Sequence, residues 1–415
     1  MHRVVVTGAG VVAPNGLSVE EFSANLFAGG NFIKEAPKNG FEDLKFTSYA
    51  PITNFPDEAV ESSYLASLSR FVKISVSAMN AAAQGALLTQ ISDKTSYRKG
   101  VFFSSAVGGT PEFQRFYEIS SNHGEKIPSV VDQINFYDSV FLNYPPNYIA
   151  DKFNFNGPVT TLTTGCTAGL DSFGMAYDMI KHGELDLVIA SAGEAPISGL
   201  AYSTLDAIGS LAVCPECPEK ASRPFDLNRN GFVLGEGAAA FVLENLESAI
   251  ERGANILAEV EGFSTANNAY HMSDLQPDSL SMVRVIEDAL YDASVSTQEI
   301  DYINAHGSST FQNDLFEANS FKKVFGDTLK RIHISSTKGA IGHSLSSASL
   351  IGVLTAIVAI REKNSPPTIN LEILDSSCDL RYSLSKYSRE KIINHALVCA
   401  SGFGGIHSAA VVSRI

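Results

Sequence analysis

Shortages of cysteine and of positive charge limit the classes of protein that this chain can belong to. The 415 residues include only five cysteines, a sparse and odd-numbered set unlike the disulfide framework of a small secreted protein. Acidic residues outnumber lysine and arginine by 45 to 30, which gives a net charge of −15. This balance argues against a nucleic acid or an anionic membrane as the main partner.

Targeting signals and long apolar runs are also missing. The N-terminal segment MHRVVVTGAG starts as a strand and lacks the basic, apolar and cleavage regions of a signal peptide. The most apolar stretch, LSSASLIGVLTAIVAIREK, is interrupted by Ser and Gly, which favours a buried core helix over a membrane span. We therefore expect a soluble, cytoplasmic protein.

Short apolar runs alternate with helical patterns along the whole chain. The predicted strands are RVVVTG, GVFFSSAV, GPVTTLTT, LVIASAGE, GAAAFVLE, ILAEVEGFS, DYINAHG, IHISST and HALVCASGFGG. Between them lie helical segments such as SVEEFSANLFAG, in which Ser18 and Glu21 have capping-box spacing. The alternation predicts an α/β fold with buried, mostly parallel strands. A soft boundary near residues 250–256 predicts two similar α/β halves, residues 1–253 and 254–415.

Cys166 lies in TLTTGCTAGLDS, between a predicted strand and a predicted helix. A residue at such a turn projects outward as in a nucleophile elbow, and its small neighbours leave room for a substrate. The N-terminus of the following helix would favour the thiolate. From this stretch alone, a buried structural cysteine is an equally good interpretation.

Two histidines occupy similar settings. His306 follows the strand IDYIN, and His343 begins a helix in STKGAIGHS, five residues after Lys338. Either could be a capping or core histidine, but together with Cys166 they predict a Cys–His–His site. The other histidines lack this context and are assigned structural or surface roles: His2, His123, His182, His271, His333, His395 and His407.

The segment ASGFGGIHS, residues 400–408, predicts a strand followed by a glycine turn around Phe403. Glycines in such a turn let backbone N–H groups face a ligand, as an oxyanion hole requires. A plain hairpin would have the same pattern.

Two further motifs have weaker interpretations. In TGAGVVA the spacing of a dinucleotide fingerprint is present, but Pro14 follows at once and blocks the helix that the fingerprint needs. In CPEC, Cys214 and Cys217 have the spacing of a zinc or redox motif without a second pair of ligands. We expect a surface loop with two incidental thiols there.

Together, the motifs resemble the β-ketoacyl synthases of the thiolase superfamily over essentially the whole chain. The matching segments are VVVTGAGVVAPNG, GCTAGLDS, RPFDLNRNGFVLGEGAAAFVLE, NAHGSST, SSTKGAIGHS, PPTINLE and SGFGG. The resemblance implies a thiolase-like fold, with duplicated α/β halves in an α-β-α-β-α layered arrangement. It places the nucleophile in the N-terminal half and both histidines in the C-terminal half. It also implies an acyltransferase without metal or other cofactor, whose substrates are carried on the phosphopantetheine arm of an acyl carrier protein.

The resemblance implies a role for each matching residue at the reacting centre. Cys166 would carry the growing acyl chain as a thioester. His306 and His343 would hydrogen-bond the malonyl thioester carbonyl and stabilise the enolate that forms as CO2 leaves. The backbone N–H groups of Cys166 and Phe403 would hold the tetrahedral oxyanion, and Phe403 would also gate the pocket.

Supporting roles follow from the same resemblance. Lys338 and Glu317 would form a charged pair that positions the histidine region. The residues implied for binding the substrate and its pantetheine arm are Ser308, Thr310, Gly402 and Gly404. Two departures from the family pattern, Ser309 and Gly339, would lie on loops near the entrance and affect carrier docking or chain selection.

Within the family, the chain is most similar to the ketosynthase alpha subunits of type II aromatic polyketide synthases. Cys166 distinguishes it from the chain-length factors, which lack the cysteine. We expect a heterodimer with a chain-length factor, or alternatively a homodimer. A homodimeric fatty-acid or polyene-type synthase is the alternative function, ahead of a non-catalytic scaffold or a nicotinamide enzyme. Arg70 and Lys73 are weak candidates for carrier docking, with a solvated helix face as the alternative.

Overall fold

The computed structural model describes residues 1–37, 44–56, 60–91, 98–126 and 135–415, which form fourteen strands and thirteen α-helices. The strands are β1 (Val4–Val12), β2 (Lys34–Glu35), β3 (Ser48–Tyr49), β4 (Lys99–Ser104), β5 (Val159–Leu162), β6 (Leu187–Glu194), β7 (Gly237–Asn245), β8 (Ala258–Asn267), β9 (Ile300–Asn304), β10 (His333–Ser335), β11 (Asn364–Ser365), β12 (Arg389–Glu390), β13 (His395–Gly402) and β14 (Ile406–Ser413). The helices are α1 (Val19–Phe27), α2 (Ser63–Ala66), α3 (Arg70–Gly85), α4 (Thr110–Ser120), α5 (Phe136–Val140), α6 (Tyr144–Lys152), α7 (Ala168–Lys181), α8 (Gly199–Ala207), α9 (Leu246–Glu251), α10 (Leu280–Ala293), α11 (Phe311–Phe325), α12 (Lys338–Ile341) and α13 (Leu345–Glu362).

Ten of these strands form one mixed sheet, in the order β10-β9-β13-β14-β8-β1-β7-β6-β4-β5. From β1 outward to β5 the successive pairs are antiparallel, antiparallel, parallel and parallel. From β8 outward to β10 the same order of pairings repeats. The predicted duplication of α/β halves is thereby confirmed, while their division at residues 253 and 254 stays a prediction. The expectation of a mostly parallel sheet is wrong, because the inner strands of each half run antiparallel.

Helices cover the two halves of the sheet in three layers. Helix α3 packs on β1, β7 and β6 at one outer side, and α10 packs on β8 and β14 at the other. Helices α7 and α13 lie between the halves, where they contact each other and strands of both halves. The result is the α-β-α-β-α layering that the resemblance implied.

Helix α13 supplies much of this central layer. Its residues from Leu345 to Ile360 are all buried. Within the described part of the chain it is the one helix long and apolar enough to cross a membrane, yet 89 % of its apolar window is buried inside the protein. The predicted core helix is therefore confirmed.

The glycines of TGAGVVA lie inside strand β1 and not in a phosphate-binding turn. A Cβ atom at Gly8 would lie 2.2 Å from the carbonyl oxygen of Ala82, and one at Gly10 would lie 2.1 Å from that of Ala78. Both carbonyls belong to α3, so the missing side chains let this helix pack directly on the strand. The motif has a packing explanation that involves no nucleotide.

Candidate active site

The turn between β5 and α7 holds Cys166 at the boundary of the central layer. Gly165 has a φ of +69°, a left-handed conformation that disfavours a side chain. Asp171 accepts hydrogen bonds from Thr164 and from Thr167, the latter at 2.8 Å, and so ties the turn to the helix. A Cβ at Gly169 would lie 2.5 Å from the carbonyl oxygen of Ser346 on α13. The small residue at this position therefore serves helix packing as well as access to the thiol.

The Cys166 thiol is buried, and its pKa is raised to about 11, chiefly by that burial. Lys338 and the backbone N–H groups of Phe403 and Cys166 itself act in the opposite direction, while Glu194 raises the pKa further. The backbone N–H groups favour the thiolate as expected, but desolvation outweighs them and the net pKa shift is upward. The two N–H groups that reach the sulfur are those expected to form an oxyanion hole.

His306 and His343 face each other across the same pocket. Their ring centroids are 5.2 Å apart, and the rings meet edge to face. Burial lowers the pKa of both imidazoles well below its ordinary value, and the Lys338 charge lowers each further. Both rings are therefore neutral near pH 7, a state in which an imidazole can donate one hydrogen bond without carrying a charge.

Lys338 and Glu317 hold the backbone of His306 from two sides. The Glu317 carboxylate accepts the N–H groups of His306 at 2.6 Å and of Gly307 at 2.8 Å. The Lys338 ammonium donates to the carbonyl oxygen of His306. The implied charged pair is thus corrected: the two groups attract through space, but each is hydrogen-bonded to the peptide of His306 and not to the other. Burial raises the pKa of Glu317 and lowers that of Lys338.

A pocket of about 260 Å³ connects these groups to the surface. Its lining brings together seven of the residues singled out from sequence: Cys166, His306, Ser308, Thr310, His343, Gly402 and Phe403. A Cβ at Gly402 would lie 3.4 Å from the backbone nitrogen of Cys166, so the β13–β14 hairpin touches the nucleophile turn. The GFGG segment is both a hairpin and a wall of the pocket.

Among the four residues expected to bind the substrate and its pantetheine arm, Gly404 is the one that does not line the pocket. It closes the hairpin with a φ of +87°, and its N–H donates to the carbonyl oxygen of Met272 at 2.6 Å. The side chain of Phe403, before it, is 40 % exposed at the mouth of the pocket. In the same hairpin, Phe403 is therefore placed to gate the pocket, and Gly404 forms the turn.

The two departures from the family pattern are buried, although Ser309 lies between two residues that line the pocket, Ser308 and Thr310. Ser309 is fully buried with a φ of +72°, and its hydroxyl accepts the backbone N–H of Arg223 at 2.9 Å. Gly339 lies in α12, where a Cβ would be 2.3 Å from the carbonyl oxygen of Ile369. Both positions are set by internal packing and not by contact with a carrier.

Arg70 and Lys73 are not available for docking either. Arg70 forms a two-pronged ion pair with Glu236, at 2.6 and 3.0 Å, and also bonds to the carbonyl of Ile52. Lys73 is buried in α3, with 8 % of its surface exposed. The two interpretations made from the sequence, carrier docking and a solvated helix face, are therefore both wrong for Arg70 and Lys73.

Two buried groups lie beside the site although the sequence analysis placed neither in it: it gave His407 a structural or surface role and did not single out Glu194. Glu194, at the end of β6, accepts hydrogen bonds from the hydroxyls of Ser105 at 3.0 Å and Ser346 at 2.5 Å and from backbone N–H groups, and burial raises its pKa to about 7. His407 stacks on Phe316, and its Nδ1 lies 3.0 Å from the Ser401 hydroxyl. The sequence signal was available for His407, which follows the glycine turn directly, but not for Glu194.

The CPEC segment also differs from expectation. The structure joins Cys214 and Cys217 in a disulfide, with their Cα atoms 5.5 Å apart. The expectation of two incidental thiols is therefore wrong, because the three-residue spacing brings the two side chains together. The other three cysteines, Cys166, Cys378 and Cys399, are free and buried.

Comparison with known proteins places this geometry in context. Two family models match, Beta-ketoacyl synthase, N-terminal domain, over residues 1–249, and Beta-ketoacyl synthase, C-terminal domain, over residues 257–372. The tetracenomycin polyketide synthase ketoacyl synthase alpha subunit of Streptomyces glaucescens is 37 % identical, covering 99 % of this chain and 97 % of its own. The 3-oxoacyl-(acyl-carrier-protein) synthase 2 of Coxiella burnetii is 35 % identical, covering 100 % and 99 %.

Solved structures match over the same length. The ketosynthase complex AntDE:AntF, a type II PKS acyl-carrier protein with its ketosynthase bound to the hexaketide, has a chain with a TM-score of 0.91 and 34 % identity, covering 100 % of this chain and 99 % of that one. The ishigamide ketosynthase/chain length factor gives a TM-score of 0.88 at 28 % identity, with coverage of 100 % and 99 %. These matches confirm the thiolase-like ketosynthase fold.

Proposed function

The chain belongs to the β-ketoacyl synthase family, and from that membership we propose that it is the ketosynthase alpha subunit of a type II polyketide synthase. It is a condensing acyltransferase. Its substrates are acyl and malonyl groups on the phosphopantetheine arm of an acyl carrier protein, and its partner subunit is a chain-length factor. We place it in the cytoplasm, where carrier-bound malonyl units are made and used.

The first step is transfer of an acyl chain to Cys166. The sulfur attacks the carrier thioester carbonyl, the N–H groups of Cys166 and Phe403 bind the resulting oxyanion, and the pantetheine thiol leaves. The Lys338 charge acts on the sulfur to lower the pKa that burial has raised, and so increases the thiolate fraction. The product is an acyl thioester on Cys166.

The second step is loss of CO2 from a malonyl group. The neutral rings of His306 and His343 donate hydrogen bonds to the malonyl thioester carbonyl, where negative charge grows as the carbon–carbon bond to the carboxylate breaks. Since neither ring is a cation, neither readily protonates the enolate. The carbanion then attacks the Cys166 thioester, forms the new carbon–carbon bond and releases the Cys166 thiolate.

Other residues hold these groups in place. Glu317 and Lys338 fix the peptide of His306 and with it the direction of the imidazole. The hydroxyls of Ser308 and Thr310, 2.9 Å apart at the pocket wall, are placed to bind the pantetheine amides. These groups supply the stabilisation that the condensation needs, so we assign no metal or redox cofactor.

The observation that carries the proposal is that Cys166, His306 and His343 line the same pocket. The relatives of the chain include type II polyketide ketosynthases. The similarity to the Coxiella synthase favours a second candidate function, that of a homodimeric fatty-acid-type synthase. The two candidates use the same chemistry and differ in partner and product.

The test is to measure, by intact mass, the products that build up on a malonyl-loaded carrier protein. We expect unreduced chains that grow by ketide units when a chain-length factor is present, and no product from this chain alone. Unreduced chains from the chain alone would contradict the heterodimer. Condensation that requires a reduced acyl primer would support the fatty-acid alternative. A Cys166→Ala variant is the control for carrier-bound background.

A further inference from the structure

The disulfide between Cys214 and Cys217 lies in a segment that also forms a wall of the active-site pocket. Ile208, Gly209 and Ser210 line the pocket directly before it. Both cysteines are half-buried, and so within reach of small reagents. Two cysteines separated by two residues form the compact ring found in dithiol–disulfide exchange motifs. The proposed condensation uses neither sulfur.

Arg223 gives this pair a charged neighbour. One guanidinium nitrogen, Nη2, lies 3.7 Å from the sulfur of Cys214 and 3.5 Å from that of Cys217. A cation at this distance stabilises a thiolate and so favours thiol exchange. The backbone N–H of Arg223 donates to Ser309, in the loop that follows His306. The arginine thus connects the sulfur pair to the histidine loop.

A second connection leads to His343. The N–H of Ala212 donates to the carbonyl of Phe232 at 2.9 Å, and the N–H of Phe232 donates to Ser210 at 3.0 Å. The Phe232 ring meets the His343 ring edge to face, with centroids 5.2 Å apart. The N–H of His343 in turn donates to Val233 at 2.7 Å. A change in the cysteine segment therefore reaches His343 through two backbone pairings and one ring contact.

We propose that Cys214 and Cys217 form a thiol–disulfide exchange site whose oxidation state sets how firmly this wall holds the active site. In the dithiol form, one thiolate attacks a low-molecular-weight or protein disulfide and releases one thiol of that oxidant. The second cysteine then attacks the mixed disulfide, closes the Cys214–Cys217 bond and releases the other thiol. Two electrons pass to the oxidant, and the two protons go to the released thiols. The disulfide holds the wall as described, and reduction loosens it.

The first measurement is the oxidation state of the pair. The full-length protein is equilibrated in buffers of varied ratio of reduced to oxidised glutathione, alkylated with iodoacetamide, and mapped by peptide mass. We expect the two labels on the Cys214–Cys217 peptide to appear and disappear together as the ratio changes. Labels that are present at every ratio, or absent at every ratio, would overturn the proposal.

The second measurement is the alkylation rate of Cys166, which reports the site without any condensation. We expect this rate to rise several-fold when a phosphine reductant opens the disulfide, because a looser wall gives the reagent access to the buried thiol. The rate should be insensitive to the reductant in a Cys214→Ser/Cys217→Ser variant, and a fall in the parent protein would overturn the proposal. A Cys378→Ala variant is the matched control and should respond like the parent. An equal Cys166 rate in both oxidation states would overturn the coupling. Because neither readout needs a carrier protein, failure here is distinct from failure of the proposed function.

Discussion

The two halves of the molecule place different chemistry at equivalent positions. In the N-terminal half, the chain leaves β5, turns through Cys166 and enters the central helix α7. In the C-terminal half, it leaves β10, passes His343 and enters the central helix α13. Two residues beyond the neighbouring strands β4 and β9 lie Ala106 and His306 respectively. One fold repeat thus presents a thiol and an apolar residue, and the other presents two imidazoles.

The surroundings of the two corners differ in the same way. Beside Cys166 lies an apolar cluster that includes Phe46, Phe232 and Leu345, with Ala106 and Val107 packed against it. Beside His306 lie the charges of Lys338 and Glu317, which bond to its peptide. An apolar corner suits an acyl chain, and a polar corner suits the malonyl thioester carbonyl, on which negative charge develops. The comparison teaches that a duplicated fold can divide one reaction between its halves.

Removal of the thiol should produce the largest effect. Cys166→Ala leaves no group to accept the acyl chain, so we expect the acyl-enzyme adduct and all condensation product to be lost. Intact mass of the protein after incubation with an acyl carrier measures the adduct. A Cys166→Ser variant keeps the volume and hydrogen bonding as the control. An adduct that persists in the alanine variant would place the nucleophile elsewhere.

Removal of either imidazole should separate the two half-reactions. His306→Ala or His343→Ala should slow CO2 release by about 10²- to 10⁴-fold, since a positioned acid or hydrogen-bond donor contributes that much. The acyl adduct on Cys166 should still form. CO2 release and adduct mass are measured on the same samples. Loss of the adduct with unchanged CO2 release would reverse the assigned division between the halves.

The pH dependence of the thiol tests how the C-terminal half acts on the N-terminal one. With a pKa of about 11, Cys166 should react with iodoacetamide about tenfold faster per pH unit between pH 7 and 10, because only the thiolate reacts. Lys338→Met should lower the rate below about pH 8, where Lys338 carries the charge that lowers the Cys166 pKa. The difference should shrink at higher pH, because burial lowers the pKa of Lys338 to about 8. Lys330→Met, at a fully exposed ion pair, is the control. A plateau near pH 8 in the parent protein would contradict this account.

A smaller effect on stability should come from His407. Burial lowers its pKa to about 4 in the folded protein, against about 6.5 for an unfolded chain. Below pH 6.5 the unfolded chain binds a proton that the folded protein does not, so stability is lost as the pH falls toward 4. The loss from this one group should be about 3 kcal/mol. Urea unfolding of the parent protein and of a His407→Gln variant, at pH 7 and at pH 4, measures this loss.

His407→Gln keeps a hydrogen-bond partner for Ser401 without a titrating group. We expect the variant to lose about 3 kcal/mol less stability than the parent over the same interval. Glu194, whose pKa is raised to about 7, acts in the opposite direction between pH 4.5 and 7, but it does so equally in both proteins. Equal losses in parent and variant would show that His407 is not buried in the neutral form.

Sequence patterns predicted the local structure well. Ser18 caps α1 as predicted, accepting the N–H of Glu21, and the Glu21 carboxylate returns a bond to the N–H of Leu17. Strands β6, β7 and β9 lie where the apolar runs indicated. These features depend on neighbours within a few residues, which is the range that a pattern covers.

Features that depend on distant packing escaped prediction. Ser309 and Gly339 are buried by contacts with Arg223 and Ile369, far away in the chain. The pKa of Cys166 depends on desolvation by both halves, which overrides the helix dipole that the local motif suggested. Glu194 lies in an ordinary strand pattern, and only the fold shows that its carboxylate reaches Ser346 on the central helix.

The most direct test of the division between the halves is CO2 release from malonyl carrier protein by Cys166→Ala. In this variant the histidine pair of the C-terminal half is intact while the acyl acceptor of the N-terminal half is missing. We predict that CO2 is still released, with acetyl carrier protein as the only carrier-bound product. Absence of CO2 release in a variant that unfolds at the same urea concentration as the parent would contradict the assignment of decarboxylation to His306 and His343.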